Sequence, residues 1–317
     1  MKSPGKQVSS IMRISSIITR RMNSKSLVAL LFAACPILAA PAAAQSDISA
    51  NNIREKMKIE SDSTGMPASR NGTKMVTNTA MVSVGGTNIL DTYLSQEKFH
   101  GWDARFLSHT FRDYPYRRIS KEIVHQVILS KADTRGEGGT LLTAMYNLQY
   151  GWHWNGDFLA RRLHLRLGGI IDGTIGGMYD TSNSNNPAQA RLSLAVAPSA
   201  IATWHFGKST HPFALQYEVS LPLLGLAFSP AYGQSYYEIF SRGNYDHNIV
   251  CTSPFNALQL HQMLTLDFTL FHSVFRIGYL GDFRQMEAND LKYHQYTHAI
   301  VIGWVRHFTL TPNRKAR

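Results

Sequence analysis

The sequence predicts an all-β protein: an antiparallel, up-and-down transmembrane β-barrel of about 10 strands, or 12 if its longest connection folds as a further hairpin. Three observations predict it. Apolar and polar side chains alternate with a period of two in stretch after stretch, which places them on opposite faces of a strand. These stretches run about 10–18 residues, against ~5–6 for globular strands and ~9–11 needed to cross a bilayer. The connections between them alternate short and long, as the two rims of an outer-membrane barrel do.

Composition excludes other classes. The 317 residues are 44% hydrophobic, 11% aromatic and only 17% charged, so the chain is not compositionally disordered. Mean hydropathy is −0.18, and no apolar run of about 18 follows residue 44, which excludes a bundle of membrane helices. Two cysteines exclude a disulfide framework and a Cys-rich zinc module. The formal charge of +11 is concentrated at the start: residues 1–44 hold Lys2, Lys6, Arg13, Arg20, Arg21 and Lys25 and no acid, leaving +5 for the rest. No dense basic stretch remains, so nucleic acid is not an expected partner.

Residues 1–44 read as a signal peptide. A basic stretch precedes the apolar run Leu27–Leu38, and Ala42-Ala43-Ala44 before Gln45 fits a cleavage site. Translation from Met22 would give a signal of ordinary length. Leu31-Phe32-Ala33-Ala34-Cys35 loosely follows a lipoprotein signal, but Phe32, Pro36 and the apolar residues beyond argue against it. Removal of Cys35 leaves Cys251 as the lone thiol, expected as a small packing residue. Residues 45–72 are polar and aperiodic, a flexible N-terminal arm with a short helix near 52–60. The barrel is expected over 73–310 and a C-terminal tail over 311–317, in the outer membrane of a Gram-negative bacterium.

The first three strands are expected near 75–87, 99–112 and 119–132. In the fourth, Leu142, Ala144, Tyr146, Leu148, Tyr150, Trp152 and Trp154 oppose Thr143, Asn147, Gln149 and His153. In 159–179, Leu159, Leu163, Leu165, Leu167, Ile171, Ile175 and Tyr179 oppose Arg162, His164, Arg166, Asp172 and Thr174. Segments 190–206, 213–223, 258–270 and 275–283 repeat the pattern, and the last strand spans about 293–308. Tight turns are expected at 113–116, 155–157, 207–210 and 271–273, on the periplasmic side. Longer loops are expected at 88–98, 133–139, 180–189, 225–256 and 287–292, on the extracellular side. Trp152, Trp154, Trp204 and Trp304 all fall on the lipid side at periplasmic strand ends, with Trp102 near the opposite rim. Such belts form because the indole is apolar yet carries an N–H that needs a wet partner.

Three segments carry a resemblance. They are Thr87–Ser95, Asn183–Gln189, and the run from Phe228-Ser229-Pro230 through Tyr232-Gly233-Gln234-Ser235-Tyr236-Tyr237-Glu238-Ile239-Phe240 to Asn244–Asn248 and Ser253–Asn256. Together they resemble a family of exported proteins known as domain of unknown function 3316, over about residues 75–308. The resemblance implies export and a single domain, and supplies no catalytic residue.

These motifs fall in the longer loops, where binding groups on rigid scaffolds usually sit. Segment 225–256 is expected to plug the lumen, cap it or form another hairpin. Asn185, Asn186, Tyr236, Tyr237, Glu238 and Tyr245 are the candidate ligand-binding residues. Aromatic and amide groups together suit a surface glycan or lipid headgroup, beside the outer-membrane lipids themselves. The lumen side carries a polar network of Arg105, His109, His153, His164, Arg166, Asp172, Arg191, Glu218, His261, Asp267, Arg276 and Asp282, together with Asp103, His125, His205 and Arg284. Mixed charges of this kind fill a narrow barrel by satisfying one another. No His pair has the HExxH spacing, and no metal or cofactor is expected. An outer-membrane lipid hydrolase is the sharpest enzyme hypothesis, with Ser235, Asp246 and His247 as catalytic candidates, though the His-x-Ser pairing of barrel esterases is absent. The expected function is a closed or narrow binding and structural barrel, ahead of a small pore.

Overall fold

The computed structural model describes residues 74–310 except 115, 116, 137, 209, 210 and 272. The signal segment, the N-terminal arm with its short helix, and the tail lie outside the described residues. The strands are β1 (Lys74–Asp91), β2 (Ser95–Asp113), β3 (Ile119–Thr134), β4 (Thr140–Phe158), β5 (Leu163–Asp180), β6 (Ala188–Lys208), β7 (His211–Ser220), β8 (Leu224–Phe228), β9 (Ile249–Thr252), β10 (Gln259–Leu270), β11 (Ser273–Ala288) and β12 (Leu291–Leu310). One short helix, α1 (Tyr236–Phe240), lies between β8 and β9.

Strands β1 to β7 and β10 to β12 pair antiparallel in a closed ring of ten, shut by β1 against β12 and by β5 against β6. Closure removes the sheet edges that lipid could not hydrogen-bond. The 19 residues of β4 reach about 60 Å along the strand at ~3.3 Å per residue, enough for an apolar band of ~25 Å even when tilted.

The two remaining strands resolve the choice between 10 and 12. β6 pairs with β7 over Ser199–Lys208 and with β8 over Ser193–Val196. Pro222, which has no N–H for the ladder, sits in the gap between β7 and β8. Leu221 and Leu223 on either side donate to the carbonyls of Pro198 and Val196. β9 returns along β8, and a Ser253–Asn256 turn then leads into β10. The chain 225–256 therefore makes a short hairpin standing on the wall, with α1 and its flanking loops above it.

The connections correct several sequence expectations. Loop 88–98 shrinks to Thr92–Leu94, because β1 and β2 pair out to Asp91 and Ser95. Loop 287–292 shrinks to Asn289–Asp290, both left-handed at φ 53° and 60°, the geometry of a two-residue hairpin turn. The turn expected at 155–157 is displaced: β4 runs on to Phe158, and Leu159, Ala160 and Arg161 take the left-handed positions. Asn155 and Gly156 read as a turn, but pairing with Arg166 and Leu165 keeps their backbone groups satisfied in the strand. Cys251 is exposed rather than packed.

The distribution of burial is that of a membrane barrel, inverted relative to a soluble protein. Outward-facing Ile175 and Ile300 are 59% and 64% exposed, whereas inward-facing Asp103, Asn147 and His153 are all 0% exposed. Stacked pairs Phe206–Phe213 and Phe268–Phe275 join Trp152, Trp154, Trp204 and Trp304 in a belt near the turn end. The wall is tight in places: a Cβ on Gly168 would stand 1.9 Å from the Trp152 carbonyl oxygen. Inside, one apolar cluster of Met81, Leu107, Met263, Leu280, Ala299 and Val301 spans the middle. A second, built from Ile89, Tyr93, Leu94, Phe99, Ala132, Leu141, Met178 and Leu291, closes the loop end.

Candidate functional site

Inward positions on successive strands stack the polar side chains into layers. At the loop end, Arg191 of β6 pairs with Asp91 at the end of β1. The Arg191 guanidinium also lies 3.5 Å from the Tyr293 ring centroid. The loop-end apolar cluster packs against Tyr293 and Tyr236. A cavity of ≈ 40 Å³ bordered by Thr174, Arg191, Arg284 and Tyr293 remains here, room for a few waters.

Below this, Asp282 of β11 is the hub of a charge network. Arg105 bonds Asp103 at 2.6 Å and Asp282 at 2.5 Å. His261 Nδ1 and Arg284 Nε reach the same Asp282 carboxylate at 2.5 and 3.1 Å. Opposite lies an amide layer in which Asn147 and Gln149 donate to the two oxygens of Asp172 at 2.8 and 2.7 Å. Nearer the turn end, Arg276 grips Asp267 with two bonds of 2.6 and 2.7 Å. Arg166 bonds Asp113 at 3.3 Å and lies over Phe111. His164 pairs with Asp157 at the turn-end rim, outside the filled interior.

The densest titratable group lies among these. His109 of β2 bonds Glu122 of β3 through Nε2 at 2.6 Å, and its Nδ1 stands 3.8 Å from Glu218 of β7. His153 of β4 places Nε2 3.3 Å from the other Glu122 oxygen. Sequence reading included His109, His153 and Glu218 but missed Glu122. The signal was present, since Ser120, Glu122, Gln126 and Ser130 alternate on the buried face of β3. It also placed His125 inside; that residue faces outward, where its Nδ1 meets the Tyr146 hydroxyl at 2.6 Å.

The cap is sewn to the barrel by the residues of the shared motifs. Ser235 caps α1, its hydroxyl accepting from the Glu238 N–H while the Glu238 carboxylate accepts from the Ser235 N–H. Gln234 accepts from Ala231 N–H and Asn248 and donates to the Asn244 carbonyl. Tyr93 donates to the Gln234 carbonyl at 2.9 Å. Asn183 donates to the Leu94 carbonyl and accepts from the N–H groups of Asn185 and Asn186. Tyr236 bonds Gln189 and Ala190. Of the candidate ligand-binding residues, Asn185, Tyr237 and Tyr245 remain exposed, the two tyrosines by 63% and 62%, alongside Tyr232 and Phe240. The exposed His247 ring pairs with neighbouring Asp246 at 2.7 Å, while the Ser235 hydroxyl is committed to the helix cap.

A closed antiparallel ring, apolar outside and filled with paired polar side chains inside, defines a membrane β-barrel. The chain belongs to the family described as protein of unknown function (DUF3316), which it matches over residues 29–315. No curated protein matches it. Among solved structures it is similar to the outer membrane protease OmpT from Escherichia coli, at 6% identity and a TM-score of 0.40, covering 78% of this chain and 100% of that one. It is also similar to the translocator domain of autotransporter NalP from Neisseria meningitidis, at 10% identity and a TM-score of 0.33, covering 80% and 95%.

Proposed function

We propose that this protein is an exported outer-membrane barrel of a Gram-negative bacterium, closed to solutes, that acts as a binding and structural element through its loop-end cap at the cell surface. One observation carries the reading. A water-filled lumen would leave its lining accessible, yet Asp103, Arg105, Glu122, Asn147, His153 and Gln295 are all 0–1% exposed. Arg105 bonds Asp103 and Asp282, Glu122 bonds His109, Asn147 bonds Asp172, and the loop-end cluster of Ile89, Phe99, Leu141 and Leu291 lies above them. About eight strands enclose an interior that side chains just fill, and ten widen it only in proportion.

The binding surface is the exposed part of the cap. Tyr232, Tyr237, Phe240 and Tyr245 present aromatic rings beside Arg242, whose guanidinium lies 5.6 Å from the Tyr237 ring. Rings and a cation on an ordered loop suit stacking on a glycan or pairing with a lipid phosphate. Conductance across a planar bilayer tests closure: protein shown to be inserted gives no steps, and discrete reproducible steps would replace this reading with a pore. Binding of the inserted barrel to lipopolysaccharide-containing vesicles, weakened at least several-fold by combined Tyr237→Ala and Tyr245→Ala, tests the surface.

A further inference from the structure

We propose that the barrel interior holds a divalent transition-metal site, suited to Zn²⁺, formed by His109, Glu122 and Glu218 with His153 as the fourth ligand. Four different wall strands converge on it, and one ligand atom from each of His109, Glu122 and Glu218 lies within 4.8 Å of the others. The surrounding wall holds these side chains in place, as a preorganised site requires.

Charge accounting points to a cation. Among the described residues, neither Glu122 nor Glu218 has a Lys or Arg within salt-bridge distance; histidines are their only ionic partners. The nearby cations are committed elsewhere, Arg276 to Asp267 and Arg166 to Asp113. Two carboxylates in such a place stay ionised only beside compensating positive charge, because a buried unpaired charge is strongly destabilising.

Hydrogen-bond accounting points the same way, independently. His153 is 0% exposed, and neither of its ring nitrogens has a hydrogen-bond partner; the facing Glu122 oxygen also lacks one. An imidazole whose two nitrogens are both unmet leaves a donor and an acceptor buried without partners. A metal ion between His153 and Glu122 would satisfy one nitrogen and that oxygen together. Two imidazoles and two carboxylates are the donor types that Zn²⁺ takes in tetrahedral sites, at ~2.0–2.2 Å. That geometry sets ligand atoms about 3.3 Å apart, the separation of His153 Nε2 from the facing Glu122 oxygen here. Binding would replace the direct His109–Glu122 hydrogen bond with a shared ion.

The test uses the untagged chain folded into detergent micelles with Co²⁺, then exhaustively dialysed. The expected result is one Co²⁺ retained per chain, with the visible absorption of tetrahedral cobalt, displaced by Zn²⁺. Glu218→Gln and His153→Gln should weaken retention by more than the roughly 10–100-fold that an outer-shell partner costs. Folding of each variant is checked by heat-modifiable gel migration. Should a variant fail to fold, chelation of the native protein decides: its thermal midpoint must fall on metal removal and recover on Zn²⁺ addition. No retained ion would overturn the proposal. Ion retained equally by both variants would overturn it too, placing the metal on a surface pair such as Asp246–His247.

Discussion

The Tyr236 hydroxyl donates to Gln189 Oε1 at 2.8 Å and accepts from the Ala190 N–H at 2.6 Å. This one contact bolts the cap helix to the loop end of β6. Tyr236→Phe leaves the Ala190 N–H without its partner, which costs about 1–3 kcal/mol. The expected outcome is an intact barrel whose loop 229–248 is cut faster by protease added to the outside of proteoliposomes. Unchanged cleavage would show that the contact does not hold the cap.

Arg191 and Asp91 form the buried pair beneath that cap. Removing one partner strands the other charge, so Asp91→Ala and Arg191→Ala should each destabilise by about 3–5 kcal/mol. The double variant should cost less than the two singles added together. Urea unfolding in detergent reads all three, and strict additivity would show that the pair contributes nothing as a pair.

Tyr93, in the turn above the strands, has its phenol pushed up to about 12 by burial first, then by neighbouring Tyr236, Asp91 and Glu238. Burial pushes Tyr236 the same way. A phenol raised in the fold favours the protonated state, in which Tyr93 donates to the Gln234 carbonyl. Its contribution is therefore whole below the unfolded value of about 10 and is lost as pH rises from there through about 12. Tyr93→Phe should flatten the fall of cap stability across that window, measured as loop protease susceptibility against pH. An unchanged slope would assign the fall to other groups.

The Trp belt near the turn end makes membrane placement measurable. Trp152, Trp154 and Trp204 are 45%, 42% and 55% exposed on the outer face. Lipids brominated near the interface should quench their fluorescence more than lipids brominated at the chain ends. Stronger quenching from the chain ends would place the belt in the bilayer centre.

At Gly168 the β5 backbone runs so close to β4 that a Cβ would meet the Trp152 carbonyl oxygen at 1.9 Å and the His153 Cα at 2.8 Å. Both are backbone atoms and cannot swing away. Gly168→Ala should cost about 1–3 kcal/mol as an overpacked site and slow folding into vesicles. Gly136, with nothing near its Cβ position, is the control and should tolerate alanine.

Legibility in the sequence followed the physics of each feature. The faces of β4 and β5 could be read because lipid demands apolar side chains on one side, and Leu148, Ile171 and Ile175 alternate with Asn147, Asp172 and Thr174 accordingly. Asn289–Asp290 lay inside an overlong expected loop, since strand ends beyond the bilayer carry polar residues that resemble loop composition. Glu122 escaped notice because β3 sets polar side chains on both faces, with Glu122 and Gln126 inside and His125 outside.

Period-two patterning is a local property of the chain, so about ten long alternating strands, with their inward and outward faces, could be read from the amino acids alone. The amino acids also marked the loop motifs as a set. That Ser235, Glu238 and Tyr236 use their polar groups to hold the cap together emerges only from the folded chain. Only it brought His109, Glu122, His153 and Glu218 to one place. Those four come from four strands, and their meeting depends on ring closure and strand register, quantities set by the whole barrel and written in no single segment.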